Sequence, residues 1–412
     1  MYQCMNKLIF AGAFLSLICL RGEAQEALWS GNTRTISPQI NEDRSVTFRY
    51  FGPCGTDVFV TGDFLPREKV TGDDGNTYEL PGKAKMERDT ISGGWVYTSV
   101  PLEPELYLYN FVIDSITTLD PMNIYVNRDI KSFTNRLLIP GEKTLNYDVS
   151  AIPHGTVLKM WYDSPSLGLQ RRLSVYTPPG YENTERAYPV LYLLHGMGGD
   201  ENAWLENGRL AQIMDHLIAD NQIEPMIVVM PNGNPRMSVS PADGSLFESA
   251  PDMKDYQVVD GTFENSFPEI VSFVDERFRT IPSKQSRALA GLSMGGFHTM
   301  TISKEFPDLF DYVGLFSAAT YRALGREGFL NNDVPEIYSN YDRKINKQFA
   351  EKPSLYWIGI GKGDFLYDSN SEYRSFLDKG GYDYEYHESE GGHTWRNWRD
   401  YLTLFARKLF KQ

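Results

Sequence analysis

The six residues Gly291-Leu292-Ser293-Met294-Gly295-Gly296 constrain this chain more than any other stretch. They follow Arg287-Ala288-Leu289-Ala290, which is patterned as a buried strand, and they open a segment patterned as a helix. A strand that turns into a helix so abruptly leaves Ser293 on a cramped corner with its hydroxyl thrust outward. Residues two positions away must then lack bulk, because other backbone segments pass there. G-x-S-x-G alone arises by chance in roughly a fifth of chains this rich in Gly and Ser. The strand–turn–helix setting carries the reading.

The surrounding residues repeat one rhythm. Val190-Leu191-Tyr192-Leu193-Leu194 is a continuous apolar run, as in a strand covered on both faces. Leu210, Ile213, Met214 and Leu217 then fall at i, i+3, i+4 and i+7, the stripe of an amphipathic helix. A strand over 226–230, a helix over 263–278 and strands over 312–316 and 355–360 continue the alternation. From about residue 152 this order predicts an α/β unit with a doubly wound, mostly parallel sheet, its active site lying where strands end.

Before that point no helix is patterned. Short β-rich runs at 45–50, 58–63, 95–100 and 106–112 are separated by Gly, Pro and Asp. In the last, Tyr107, Tyr109 and Phe111 share one face while Leu108 and Val112 share the other. The pattern predicts an all-β, immunoglobulin-like sandwich over 25–150, followed by the α/β part over 151–412. Two domains suit a chain of 412 residues. The connection between Ile139 and Thr156 is short, with no Pro- or Ser-rich run. A fixed interface is therefore expected, with the sandwich shaping one side of the substrate cleft.

Lys7 precedes an apolar run from Leu8 to Leu20, and Gly22-Glu23-Ala24 offers a small-x-small cleavage site. Residues 1–24 are therefore expected to be a signal peptide of an exported protein, periplasmic or secreted. The run is shorter than the roughly 20 residues that span a bilayer, and no later segment is apolar enough to do so. A lipid anchor on Cys19 is disfavoured by the bulky Ile18 before it. Cys54 then remains as the only cysteine, which excludes an intrachain disulfide and a cysteine metal site. A formal net charge of −14 disfavours nucleic acid as a partner. The 13% aromatic content suits sugars or phenolic rings.

A serine hydroxyl is a poor nucleophile near neutrality and needs a base, which in turn needs an orienting acid. In a fold with this corner the acid and then the base follow the serine along the chain. Three histidines follow Ser293. His298 lies within the next helix, where its side chain should point away from the hydroxyl, and His387 lies in an alternating strand. His393, in the loop Glu390-Gly391-Gly392-His393-Thr394-Trp395, is the candidate base. Asp364 follows the run ending at Ile360 and is the candidate acid, with Asp368 its rival. The oxyanion needs two backbone N–H donors, assigned to Met294 and to Met197 in His195-Gly196-Met197-Gly198-Gly199. His195 precedes the serine and is expected to brace that loop. Trp204 and Trp395 are candidates for substrate contact, and the long polar loop from Gly233 to Thr262 for a wall of the pocket. No metal and no cofactor are expected.

Tyr176-Thr177-Pro178-Pro179-Gly180-Tyr181, Leu194 to Gly199, Gly291 to Gly296 and Gly391 to Trp395 together resemble the esterase D–like proteins. Within these the set is most similar to the family-one carbohydrate esterases, which include feruloyl and acetylxylan esterases. The resemblance covers about residues 155–410. It implies an α/β-hydrolase that cleaves esters without a cofactor, with Ser293, Asp364 and His393 as its triad. The first half resembles, more loosely, early-set sandwiches of the glycogen-binding type, through Val60-Thr61-Gly62-Asp63-Phe64, Gly94-Trp95 and Leu106 to Tyr109; Trp95 and Tyr109 also fit a core. The expected partner is an acylated plant polysaccharide or oligosaccharide, with ferulate favoured over acetate. A siderophore esterase and a glycan-binding protein with an inactive hydrolase domain are the alternatives.

Overall fold

The computed structural model describes residues 36–52, 55–71, 77–80, 82–129, 132–244, 259–320 and 335–411. The expected signal peptide and Cys54 lie outside these residues, as does 245–258 of the long loop.

Among the described residues the first part is β-stranded with every pairing antiparallel, and it ends in a short 3-10 helix, Glu142–Tyr147. One sheet has the order Gln39–Ile40, Val46–Tyr50, Trp95–Thr98, Glu87–Arg88. A second runs Val126–Asp129, Ser132–Leu138, Leu106–Ile113, Val58–Gly62, Lys83–Lys85. The side chains of Tyr107, Tyr109 and Phe111 pack into the core between them, with Phe48, Val60 and Trp95. Tyr109 is 1% exposed, so it is core and offers no platform for a sugar.

The second part is built on one eight-stranded sheet, its strands numbered here β1 (Thr156–Ser164), β2 (Leu169–Thr177), β3 (Val190–Leu194), β4 (Ile227–Pro231), β5 (Arg287–Leu292), β6 (Tyr312–Phe316), β7 (Leu355–Gly361) and β8 (Glu385–Ser389). The order is β1-β2-β4-β3-β5-β6-β7-β8. β1 and β2 form an antiparallel hairpin that also pairs antiparallel with β4, and every pairing from β4 to β8 is parallel. The described helices are α1 (Ala203–Glu206), α2 (Leu210–Ala219), α3 (Thr262–Arg277), α4 (Met294–Glu305), α5 (Tyr341–Ala350), α6 (Tyr367–Gly380) and α7 (Trp395–Ala406).

The continuous apolar strands are explained by helices on both faces. Leu191 and Leu193 of β3 pack with α2 and α7, while Val190, Tyr192 and Leu194 pack with α3. Leu210, Ile213, Met214 and Leu217 of α2 are all fully buried, which stabilises its docking by about 1.5–3 kcal/mol per side chain as an upper bound. The architecture is that of an α/β-hydrolase preceded by an all-β region.

Register decides what meets at the top of the sheet. Leu194 is paired with Gly291, so the loop starting at His195 emerges beside Ser293. Gly361 is paired with Ser389, so the loops carrying Asp364 and His393 leave adjacent strands.

Candidate active site

Ser293 sits between β5 and α4 with φ 53° and ψ −116°, a conformation L residues rarely adopt. Such backbone costs on the order of 1–3 kcal/mol and persists only when neighbours impose it. Here its N–H donates to Phe316 O at 2.9 Å, and its carbonyl accepts from Ala319 N–H at 2.9 Å. The glycines follow from the crowding. A Cβ on Gly295 would lie 2.4 Å from His195 O, and one on Gly291 would lie 2.3 Å from Gly295 O.

His393 Nε2 lies 2.9 Å from Ser293 Oγ, and its Nδ1 lies 3.0 Å from both carboxylate oxygens of Asp364. A carboxylate only accepts, so Nδ1 carries the proton and Nε2 is left to accept from the serine hydroxyl. The Asp364 side chain is fully buried, and its Oδ1 also accepts the Leu366 N–H at 2.9 Å. The two loops are stitched by backbone: Lys362 N–H donates to Ser389 O at 2.9 Å and Gly363 N–H to Gly391 O at 2.8 Å. Asp368, the rival acid, is exposed in the first turn of α6.

Met294 is the first residue of α4, so its N–H has no intrahelical acceptor and lies at the positive end of the helix dipole. Met197 lies in a turn closed by Gly199 N–H donating to Gly196 O at 3.1 Å, with Gly198 at φ 82°. That turn runs against the serine, since a Cβ on Gly196 would come within 3.1 Å of Ser293 Cβ. His195 braces it from below. Its Nδ1 faces Gly196 O at 2.8 Å and its Nε2 accepts the Gly233 N–H at 2.8 Å. Those partners require a neutral ring with the proton on Nδ1, and burial lowers its pKa to about 4.

His298 is buried with Nδ1 2.9 Å from Glu264 Oε1, to which Tyr338 OH also donates at 2.8 Å, so it faces away from the serine hydroxyl. His387 stacks on Trp357 from the sheet face. Trp204 does not stand where a substrate would meet it. It is 1% exposed, its indole N–H donates to Leu194 O at 3.0 Å, and its ring lies edge-on beneath Trp395. An indole so close in sequence to the candidate oxyanion loop serves the core. Trp395 is half-buried at the start of α7 and keeps one open side. One aromatic beside the site is not marked out by the sequence: Phe365, directly after the candidate acid, is 75% exposed with its ring centroid 4.5 Å from that of His393. Its only sequence signal is an aromatic residue in an otherwise small and polar loop.

The all-β part reaches this end of the molecule. Arg128 pairs with Asp200, three residues beyond Met197, and donates to Ser240 Oγ at 3.0 Å.

A family described as "Putative esterase" matches residues 164–409, the whole span from the end of β1 past α7. The chain belongs to this esterase family. A relative of this chain is an endo-1,4-beta-xylanase/feruloyl esterase of Xylanibacter ruminicola, 28% identical over 382 residues, covering 91% of this chain and 46% of that protein. The chain thus spans about half the length of that relative. An acetyl esterase of Caldicellulosiruptor saccharolyticus is 26% identical over 237 residues, 52% of this chain and 80% of its own. Among solved structures, an enterobactin esterase of Shigella flexneri superposes with TM-score 0.60 over 94% of this chain and 98% of its own, at 16% identity. That overlap extends the shared fold into the all-β region. A feruloyl esterase of Anaeromyces mucronatus solved with ferulic acid gives TM-score 0.50 over 66% of this chain and 96% of its own, at 22% identity.

Proposed function

We propose that this chain is an exported serine carboxylic-ester hydrolase that removes acyl groups, ferulate before acetate, from plant cell-wall polysaccharides or their oligosaccharides. The observation that carries the mechanism is the hydrogen-bonded series from Ser293 Oγ through His393 to Asp364, at 2.9 and 3.0 Å. His393 takes the serine proton as Oγ attacks the ester carbonyl, and the Met294 and Met197 N–H groups receive the oxyanion. The tetrahedral species collapses as His393 returns the proton to the leaving alcohol oxygen, which leaves the acyl group on Ser293. Water, deprotonated by the same imidazole, then frees the acid and regenerates the serine. No cofactor enters. The substrate class is supported by the feruloyl and acetyl esterase names of the relatives, and export by the signal-like pattern of residues 1–24.

The test is a panel of methyl ferulate, acetylated xylan, nitrophenyl esters and a catecholate trilactone, run on the mature chain and on Ser293→Ala. Turnover of the first two, lowered on the order of 10⁴- to 10⁶-fold in the variant, is expected. Turnover of the trilactone alone would make it a siderophore esterase, and no turnover of any ester would leave a binding protein. A Ser293→Ala variant retaining more than a few per cent activity ends the proposed mechanism.

A further inference from the structure

The imidazole of His393 has four neighbours of different kinds. Ser293 Oγ faces Nε2, Asp364 faces Nδ1, and Trp398, 6% exposed, packs edge-on at 4.9 Å from within the domain. The fourth is Phe365, tilted 50° to the imidazole at 4.5 Å and 75% exposed. A single exposed Phe on a surface needs no explanation. One laid against the candidate base of an active site differs, because it stands beside the group that meets the substrate.

Which part of the substrate passes it follows from the chemistry. The acyl carbon bonds to Ser293 Oγ, whereas the leaving oxygen must come within about 2.6–3.2 Å of His393 Nε2 to collect its proton. The group beyond that oxygen is the alcohol, so it departs on the histidine side of the ester, and Phe365 is the exposed ring in contact with that histidine. In a polysaccharide ester that alcohol is a sugar. Sugar C–H groups carry slight positive charge and meet the negative face of an aromatic ring.

We propose that Phe365 is the stacking platform for the leaving-group sugar, and so a residue that sets preference for sugar esters over simple alkyl esters. This rests on the ester-hydrolase reading above. Its backbone lies in the Asp364–Leu366 turn, where Leu366 N–H donates to the Asp364 carboxylate at 2.9 Å, so the ring springs from a point tied to the residue that faces His393. Leu366 itself is 8% exposed and anchors the turn in the core.

The experiment compares two esters of one acyl group that differ only in the alcohol: feruloylated arabinose against methyl ferulate, and in parallel acetylated xylose against methyl acetate. The quantity read is the ratio of kcat/KM for the sugar ester over the methyl ester, in whichever acyl series the wild type turns over. Phe365→Ala is expected to lower that ratio roughly tenfold, mainly through KM of the sugar ester. Phe365→Trp should keep it, and Phe365→Leu, apolar but not flat, should lose it. A ratio unchanged within about twofold in Phe365→Ala, whether both esters slow or neither does, overturns the proposal, as does retention of the ratio in Phe365→Leu. Failure of the underlying reading is seen elsewhere, in a wild type that turns over neither pair.

Discussion

At the scale of single residues, His195 is the informative case, because it resembles a catalytic base and is placed as a brace. Its ring joins the candidate oxyanion loop to Gly233, and the Nε2 bond that accepts the Gly233 N–H holds only in the neutral form. Burial lowers its pKa to about 4 in the folded state, against about 6.5 when unfolded. The unfolded chain therefore binds the extra proton first as pH falls. The stabilisation is complete above about pH 6.5 and is lost progressively toward pH 4, by up to about 1.4 kcal/mol per pH unit. Thermal melts from pH 7 to 4 should show that slope, and His195→Gln should be less stable at pH 7 but flatter over this window. Parallel slopes in the two proteins would refute the assignment. That Ser293, His393 and Asp364 meet at 2.9 and 3.0 Å was legible because chain order and loop context leave few choices of serine and histidine, and because Asp364 follows closely on a buried strand. Trp204 was misjudged for a physical reason: residue type and proximity in sequence do not reveal on which side of a loop a large ring is buried.

At the scale of elements, the turn from β5 into α4 is held by close backbone passage rather than by side chains. A methyl group on Gly295 would meet the carbonyl oxygens of His195 and Leu194 at 2.4 and 2.7 Å, and neither can move without shifting β3. Gly295→Ala should therefore cost about 1–3 kcal/mol in urea denaturation and also disturb Met197 and Met294. Gly168→Ala makes a fair control, since its φ of 65° strains an alanine but no atom stands within 4 Å. It should lose some stability and little activity. Equal activity losses would remove the packing explanation. The buried parallel strands were readable because helices on both faces demand unbroken apolar runs. The hairpin β1–β2 was not, and its composition explains why. β1 is an edge strand with exposed Lys159, Trp161 and Asp163, and β2 buries two arginines at its start. Arg171 donates to the carbonyls of Asn232 and Asn234, and Arg172 pairs with Glu201, so these charges are satisfied by loops far away in sequence.

At the scale of the whole molecule, the two parts are joined by buried charge as well as apolar contact. Leu106 and Tyr147 extend the core that contains α2 and α7. Beside them Glu105, 1% exposed, accepts from Arg399 Nη2 at 2.8 Å and Lys143 Nζ at 2.9 Å, with Arg396 Nε at 3.3 Å. Arg396 and Arg399 lie on the first turns of α7, the helix that begins two residues after His393. Glu105 thus ties the all-β part to the helix that begins just after the candidate base. The short connection after Ile139 fits contact between the two parts, but no local pattern marks one glutamate as its centre. Burial works to raise the Glu105 pKa, yet the charges of Arg399 and Lys143 outweigh it and the net shift is downward. Its contribution is therefore fully present above the unfolded value of about 4.3 and lost as pH falls through the lower folded value. Glu105→Gln keeps the shape and removes the charge, leaving Arg399, 2% exposed, with no counter-charge at 2.8 Å. Breaking a buried pair from one side costs about 3–5 kcal/mol, and Lys143, 35% exposed, relaxes toward water and softens that figure. Urea unfolding of Glu105→Gln should lose about 2–4 kcal/mol at pH 7. At 25 °C, where the variant is still folded, kcat on methyl ferulate should fall several-fold with KM little changed, because the start of α7 and with it His393 is less firmly held. If the variant is less stable but its kcat is that of the wild type, the all-β part supports the fold alone and has no hold on the base.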